Sequence, residues 1–236
     1  MQARRATSGR GNRARSPAAV LGAGLIACAV AWSTDPARAQ LTPNEVELED
    51  VIEIEVLGRD VIAFDLTGTG SPSVRLDIGE SVSFVRASGR IGLAMTDARA
   101  LAVSPGTDGW REVRYGIHEV RPEGGFVGKR VALVVTSRRI LGYDSRSGVW
   151  MAQGLGPNEE TLHAAVGDGT AVVVTNRTAY GLSPSAGGFF SRSMTIHERI
   201  QDVRVGANMA TLSTSQRLLV FRAPTGIWTE ERRPLH

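Results

Sequence analysis

The sequence predicts an all-β protein, a five-bladed β-propeller built from four-stranded repeats of about 39 residues. Three observations predict it. First, four segments align end to end: GLAMTDARALAVSPGTDGW at 92–110, VALVVTSRRILGYDSRSGVW at 131–150, AVVVTNRTAYGLSPSAGGF at 171–189 and ATLSTSQRLLVFRAPTGIW at 210–228. Second, the threonines Thr96, Thr136, Thr175 and Thr214 and the aromatics Trp110, Trp150, Phe189 and Trp228 both recur at spacings of 40, 39 and 39. A glutamate precedes each threonine, at Glu80, Glu119, Glu159 and Glu198. Third, EIEVLGRDVIAFD at 53–65 is a degraded fifth copy, with Val56 at the threonine position and Arg59 opposite Arg99 and Arg139. Five such units come to about 195 residues, and the chain from Gln40 onward has 197.

Each unit reads as four short strands, and the units run approximately over 41–78, 79–116, 117–156, 157–195 and 196–236. In the last copy the strands are expected near Glu198–Val205, Met209–Thr214, Arg217–Phe221 and Ile227–Arg232, separated by turns at Gly206, Ser215-Gln216 and Pro224-Thr225-Gly226. The second strand of each copy is apolar nearly throughout, as in Ala132-Leu133-Val134-Val135, which indicates a sheet covered on both faces. A four-stranded unit of this length, covered by its neighbours, is a propeller blade. A solenoid would need atypical capping repeats, and the last copy is among the most regular, so five blades are expected to close into a ring. The first unit is short between Asn44 and Val56, which leaves its innermost strand brief or supplied by other means.

The segment before the repeats is expected to be removed. Residues 1–39 carry an arginine-rich start, an apolar stretch from Pro17 to Trp32 and the small-x-small pattern Ala37-Arg38-Ala39, which together read as a secretory signal peptide. The apolar stretch is shorter than the roughly 20 residues that span a bilayer. A lipoprotein leader ending before Cys28 is the alternative, because Leu25-Ile26-Ala27-Cys28 resembles a lipobox and would place a lipid anchor on Cys28. The whole chain has 27 basic and 24 acidic residues; without the leader's six arginines and Asp35, 21 basic and 23 acidic remain. The excess positive charge therefore belongs to the leader, and nucleic-acid binding is not supported. With the only cysteine in the leader, disulfides and cysteine-ligated metals are excluded from the repeats.

Tyr143-Asp144-Ser145-Arg146-Ser147-Gly148-Val149-Trp150 resembles the blade repeat of quinoprotein-type propellers, in which an aspartate, a Thr/Ser-Gly turn and a tryptophan recur. The resemblance covers about ten residues. The aspartate becomes Ser104, Ser183 and Arg222 in the other copies, so the resemblance implies a blade turn and no quinone cofactor. No cofactor and no metal are expected.

A residue type repeated in every blade serves the common architecture, so Trp110, Trp150, Phe189 and Trp228 are expected to pack between blades. Arg59, Arg99, Arg139, Arg177 and Arg217 fall at the turn after the second strand, on the same face as the recurrent glutamates. They are expected either to form blade-to-blade pairs with those glutamates that tie the ring or to form a basic rim for an anionic glycan, lipid head group or acidic protein loop. His118, His163 and His197 join them as candidate ligand-binding residues; their separations of 45 and 34 match no metal-ligand motif. Ser183 to Phe190 is expected to be a flexible outer turn with Phe190 exposed. The chain thus reads as an exported, monomeric, non-catalytic module that binds an envelope protein or polysaccharide in the periplasm or outside the cell. The alternative is a glycosidase-like enzyme with acids at a central channel, for which Asp50, Asp77, Glu160 and Asp202 are the candidates.

Overall fold

The computed structural model describes residues 50–68 and 70–232. The signal peptide, the lipobox at Cys28 and the segment at Gln40 lie outside the described residues. Every described element is a strand. Blade 1 has three, β1 (Ile52–Leu57), β2 (Asp60–Asp65) and β3 (Ser73–Arg75). Blade 2 has β4 (Val82–Ser88), β5 (Ile91–Thr96), β6 (Arg99–Val103) and β7 (Arg111–Arg114). Blade 3 has β8 (Phe126–Val127), β9 (Val131–Val135), β10 (Arg139–Asp144) and β11 (Val149–Gly154). Blade 4 has β12 (Thr161–Val166), β13 (Ala171–Thr175), β14 (Thr178–Ser183) and β15 (Gly188–Ser193). Blade 5 has β16 (Ile200–Val205), β17 (Met209–Thr214), β18 (Arg217–Arg222) and β19 (Ile227–Arg232).

Each blade is an antiparallel meander whose strands pair in chain order, and the result is a five-bladed β-propeller. Four blades hold four strands as the repeat predicts; blade 1 holds three. Its β1 corresponds to the second strand of the other blades, because Val56 stands where they have threonine, so the short first unit has no innermost strand among the described residues. In the last copy the second and fourth strands have the bounds the sequence predicts.

Packing explains the apolar second strands. All of β5 and β13 is buried. Alternate side chains of β13 face opposite neighbours: Val172 and Val174 join Ala210 and Leu212 of blade 5, while Ala171 and Val173 join Val131 and Leu133 of blade 3. Glycines permit this closeness. A Cβ on Gly128 would sit 2.0 Å from the Gly167 carbonyl oxygen, and one on Gly167 would sit 2.0 Å from that of Gly206. Three consecutive blades thus touch backbone to backbone at equivalent turns.

The end blades differ from the middle ones. Pairing places Glu53 beside Phe64 and Glu55 beside Ile62 on the face of blade 1 turned away from blade 2, and Phe64 is 39% exposed. On blade 5 the outward face carries Met209, Thr211 and Ser213, with Met209 50% exposed. Thr211 and Ser213 occupy the places of Val172 and Val174, so hydroxyls replace apolar side chains where no further blade is stacked. Among the described residues, blades 1 and 5 pack against each other less than the blades at the other four junctions do. The regular last copy carries its own polar cap.

Candidate functional site

An antiparallel meander sends its odd and even turns to opposite ends. The turns after the second strand and the turns between blades therefore share one end of every blade, and there the repeated glutamates, threonines and arginines meet.

Their meeting is a clamp. Glu80 accepts hydrogen bonds from the Asp77 amide (2.7 Å), the Thr96 hydroxyl (2.7 Å) and the Arg99 guanidinium (2.8 and 2.9 Å). The Thr96 oxygen in turn accepts from the Arg99 amide (3.0 Å), which closes the turn into β6. Blades 3 and 5 repeat the arrangement: Glu119 binds the Gly116 amide, Thr136 and Arg139, and Glu198 binds the Thr195 amide, Thr214 and Arg217. Blade 4 departs from it. Arg177 is displaced by one position, and the Tyr180 hydroxyl (3.1 Å) donates to Glu159 instead. The side chains of Glu80, Glu119 and Glu198 are only 2%, 3% and 0% exposed. Burial opposes their ionisation, but the hydrogen bonds and the arginine charges outweigh it and hold these carboxyls below the usual carboxylate range. Glu159 is also held low, with Thr175, the Gly156 amide and Tyr180 overcoming burial.

A group with a depressed folded pKa stabilises the fold at pH above its unfolded value, about 4.3 for Glu, and loses that contribution as pH falls through the folded value. Four such carboxylates predict a steep loss of stability between about pH 5 and pH 3. Denaturant titrations at stepped pH should show it, with a shallower slope in Glu159→Gln.

The arginines also join blades. Arg99, Arg139 and Arg217 donate to the carbonyls of Arg75, Arg114 and Ser193, each on the outer strand of the preceding blade. The pairing is thus within a blade and the inter-blade link is a carbonyl bond, which corrects the expectation of blade-to-blade Glu-Arg pairs. Nor are Arg99, Arg139 and Arg217 available as a rim for ligand, since their guanidiniums are spent on these acceptors. Arg59, with no glutamate, donates to the Leu76 carbonyl. Arg177 is exposed, as are His118, His163 and His197. No group of three metal-ligating side chains occurs among the described residues.

The aromatics lie at the blade junctions. The indole N–H groups of Trp110, Trp150 and Trp228 donate to the Pro72, Arg111 and Phe190 carbonyls of the preceding blade (3.1, 3.0 and 2.9 Å), and Phe189 reaches back to Gly142. Phe190 is not an exposed contact: it lies over Gly226 and joins the core between blades 4 and 5. Tyr115 is an exception to the satisfied core. Its hydroxyl has no hydrogen-bond partner among the described residues, and burial with the Glu119 charge nearby pushes its pKa up to about 12. Tyr115→Phe removes an unsatisfied polar group and should leave stability unchanged or raise it by about 1 kcal/mol in urea unfolding.

Three of the four acids considered for catalysis are engaged elsewhere. Asp50 accepts from the Gly89 amide (2.6 Å), Asp77 pairs with Arg114 (3.5 Å) and Asp202 with Arg204 (2.7 Å). Glu160 borders a shallow depression with Val120, Arg121 and Thr161. Sequence reasoning missed a cleft of about 590 Å³ at the opposite end, bordered by Arg130, Arg146, Ser147, Ser185 and Asn208. There Arg130 passes over Gly169 to Asn208 (3.2 Å), bridging blade 3 to blade 5.

No known family pattern matches the chain, and no curated protein matches it in sequence. Solved structures resemble it loosely. Prp20p of Saccharomyces cerevisiae, described with its binding to Gsp1p and histones, is 9% identical at a TM-score of 0.40 over 74% of this chain and 56% of that one. AztD of Citrobacter koseri is 14% identical at 0.39 over 77% and 59%. PorZ, a surface component of the type-IX secretion system of Porphyromonas gingivalis, is 10% identical at 0.39 over 83% and 28%. The chain spans little more than half the length of the first two of these proteins. The assignment of the fold rests on the strand order and blade packing described above.

Proposed function

We propose that the chain is an exported, non-catalytic binding or scaffold module of the bacterial envelope, acting as a monomer and taking an envelope protein or polysaccharide on its clamped-turn face. The observation that carries this reading is the division of labour at that face. The repeated ionisable residues are consumed by the clamps, while exposed residues that the clamps do not use, His118, Arg138, Arg177 and His197, stand on the turns around them. Groups held this way serve as a rigid platform, and the exposed ones supply adaptable contacts.

Crosslinking of the tagged chain in its own cell envelope, followed by mass spectrometry and glycan analysis of the captured material, tests the reading. A reproducible partner lost in Arg138→Glu/Arg177→Glu is the expected result. Capture of neither protein nor polysaccharide above that variant's background overturns it.

A further inference from the structure

The cleft of about 590 Å³ at the end opposite the clamps departs from the repeat. Six residues before the clamp threonine, blades 2 to 5 carry Arg90, Arg130, Gly169 and Asn208. Blade 4 alone has no side chain there, and none would fit. A Cβ on Gly169 would sit 2.6 Å from the Arg130 guanidinium and 2.7 Å from the Ala207 carbonyl oxygen. The gap lets Arg130 cross blade 4 and donate to Asn208 Oδ1 (3.2 Å). One arginine thus spans the cleft, fixed at its root and its tip.

A second arginine is held at the edge. In the turn after β10, Asp144 stands where blades 2, 4 and 5 have Ser104, Ser183 and Arg222. Its carboxylate accepts the Arg146 amide (3.2 Å), the Ser147 amide (3.0 Å) and the Ser147 hydroxyl (2.7 Å). Asp144 is 4% exposed, so its charge is turned into its own turn, while Arg146 is exposed on the cleft's border. On blades 3 to 5 this end carries Lys129, Arg130, Arg146 and Arg222 against Asp144 and Asp168. None of the six belongs to an ion pair among the described residues. Asp168 is exposed and stands outside the lining, which leaves the two guanidiniums of the cleft to a ligand.

The lining groups divide by what they still have to offer. Arg130 and Arg146 donate, and Asn208, which accepts through Oδ1, keeps its NH2 group to donate as well. Ser147 has given its proton to Asp144, and Ser185 has given its own to the Ala223 carbonyl (3.1 Å). Both hydroxyls therefore present lone pairs. A matching ligand carries an oxyanion for the guanidinium forks and hydroxyls that donate to the serines. Pro184 and Pro224 add apolar ring faces, which suit the C–H face of a sugar, and the volume lies in the range of small-ligand sites.

We propose that this cleft binds a sugar acid, with its oxyanion on Arg130 and Arg146 and its hydroxyls on Ser147 and Ser185. The site lies at the opposite end from the partner-binding face and does not depend on that reading.

Calorimetric titration of the full chain with glucuronate, glucose 6-phosphate, glucose and inorganic phosphate tests it. Saturable binding of a sugar acid is expected, weakened by salt, with glucose and inorganic phosphate each about tenfold weaker or more. Arg146→Gln, on an exposed turn, is expected to lower the affinity about tenfold at unchanged melting temperature, and Asp168→Asn to leave it equal or tighter. Arg130→Gln, with the same expected loss, serves should Arg146→Gln melt early. Binding of neither sugar acid overturns the proposal, as does equal affinity for inorganic phosphate, which would mean an adventitious ion only. Affinity unchanged in Arg146→Gln overturns it too, and its loss in Arg138→Glu/Arg177→Glu instead would move the sugar to the clamped-turn face. Failure to capture an envelope partner would sink the binding-module reading and leave this one standing.

Discussion

Glu80→Ala is expected to cost about 3–5 kcal/mol, a large part of the 5–15 kcal/mol that holds a typical domain together. The loss comes from what remains behind. Arg99 is 6% exposed at its side chain and would keep only Glu112 as an acidic partner, while the Thr96 hydroxyl and the Asp77 amide would each lose an acceptor. Glu159→Ala makes the comparison. In blade 4 the carboxylate holds Thr175, Tyr180 and the Gly156 amide but no guanidinium, so its removal strands neutral groups and should cost about 1–3 kcal/mol. Urea unfolding of the two variants measures the difference. Equal losses would show that the buried arginine is not what makes the clamp expensive to break.

The second large effect is expected at Gly128. A methyl group there meets the Gly167 carbonyl oxygen at 2.0 Å and its carbonyl carbon at 3.0 Å. Both are backbone atoms that no rotamer change moves aside, so blades 3 and 4 must separate locally. Gly128→Ala is expected to destabilise by about 3 kcal/mol or more, at or above the upper end of ordinary overpacking. Gly154→Ala, with nothing within 4 Å of the added carbon, should be near neutral. Thermal melts of the two variants check this, and equal behaviour would mean that the blades do not approach through these glycines.

What was legible in the sequence was what the architecture repeats. Thr96, Thr136, Thr175 and Thr214 make the same hydrogen bonds to Glu80, Glu119, Glu159 and Glu198, so a shared spacing was enough to find the turn end, though not that its Glu-Arg pairs close within one blade. Spacing cannot show what a long side chain does after its first partner, which is why the bonds from Arg99, Arg139 and Arg217 to the preceding blade were not foreseen. In blade 4 the signal was present but small, since Tyr180 is the polar residue that takes the place vacated by the displaced Arg177. The polar cap of blade 5 was written in Thr211 and Ser213, and was hidden because a threonine or serine in a strand is unremarkable until the face it occupies is known. The exposure of Ile78, Ile117 and Ile196 on the turns between blades escaped for the opposite reason: a single apolar residue beside a strand reads as part of it, and only exposure separates Ile117 from Ile140.

Nearly all of the ties described above join a blade to itself or to the one before it, and Arg130 to Asn208 is a rare bond that skips a blade. A chain linked in this way resembles a row of identical couplings more than a keystone arch. Duplication or loss of one 39-residue unit within the row would create a junction of a kind already present. The number of blades can therefore drift over generations by whole repeats, while the clamp itself already varies from blade to blade, with Tyr180 in place of the arginine in blade 4 and no glutamate beside Arg59 in blade 1.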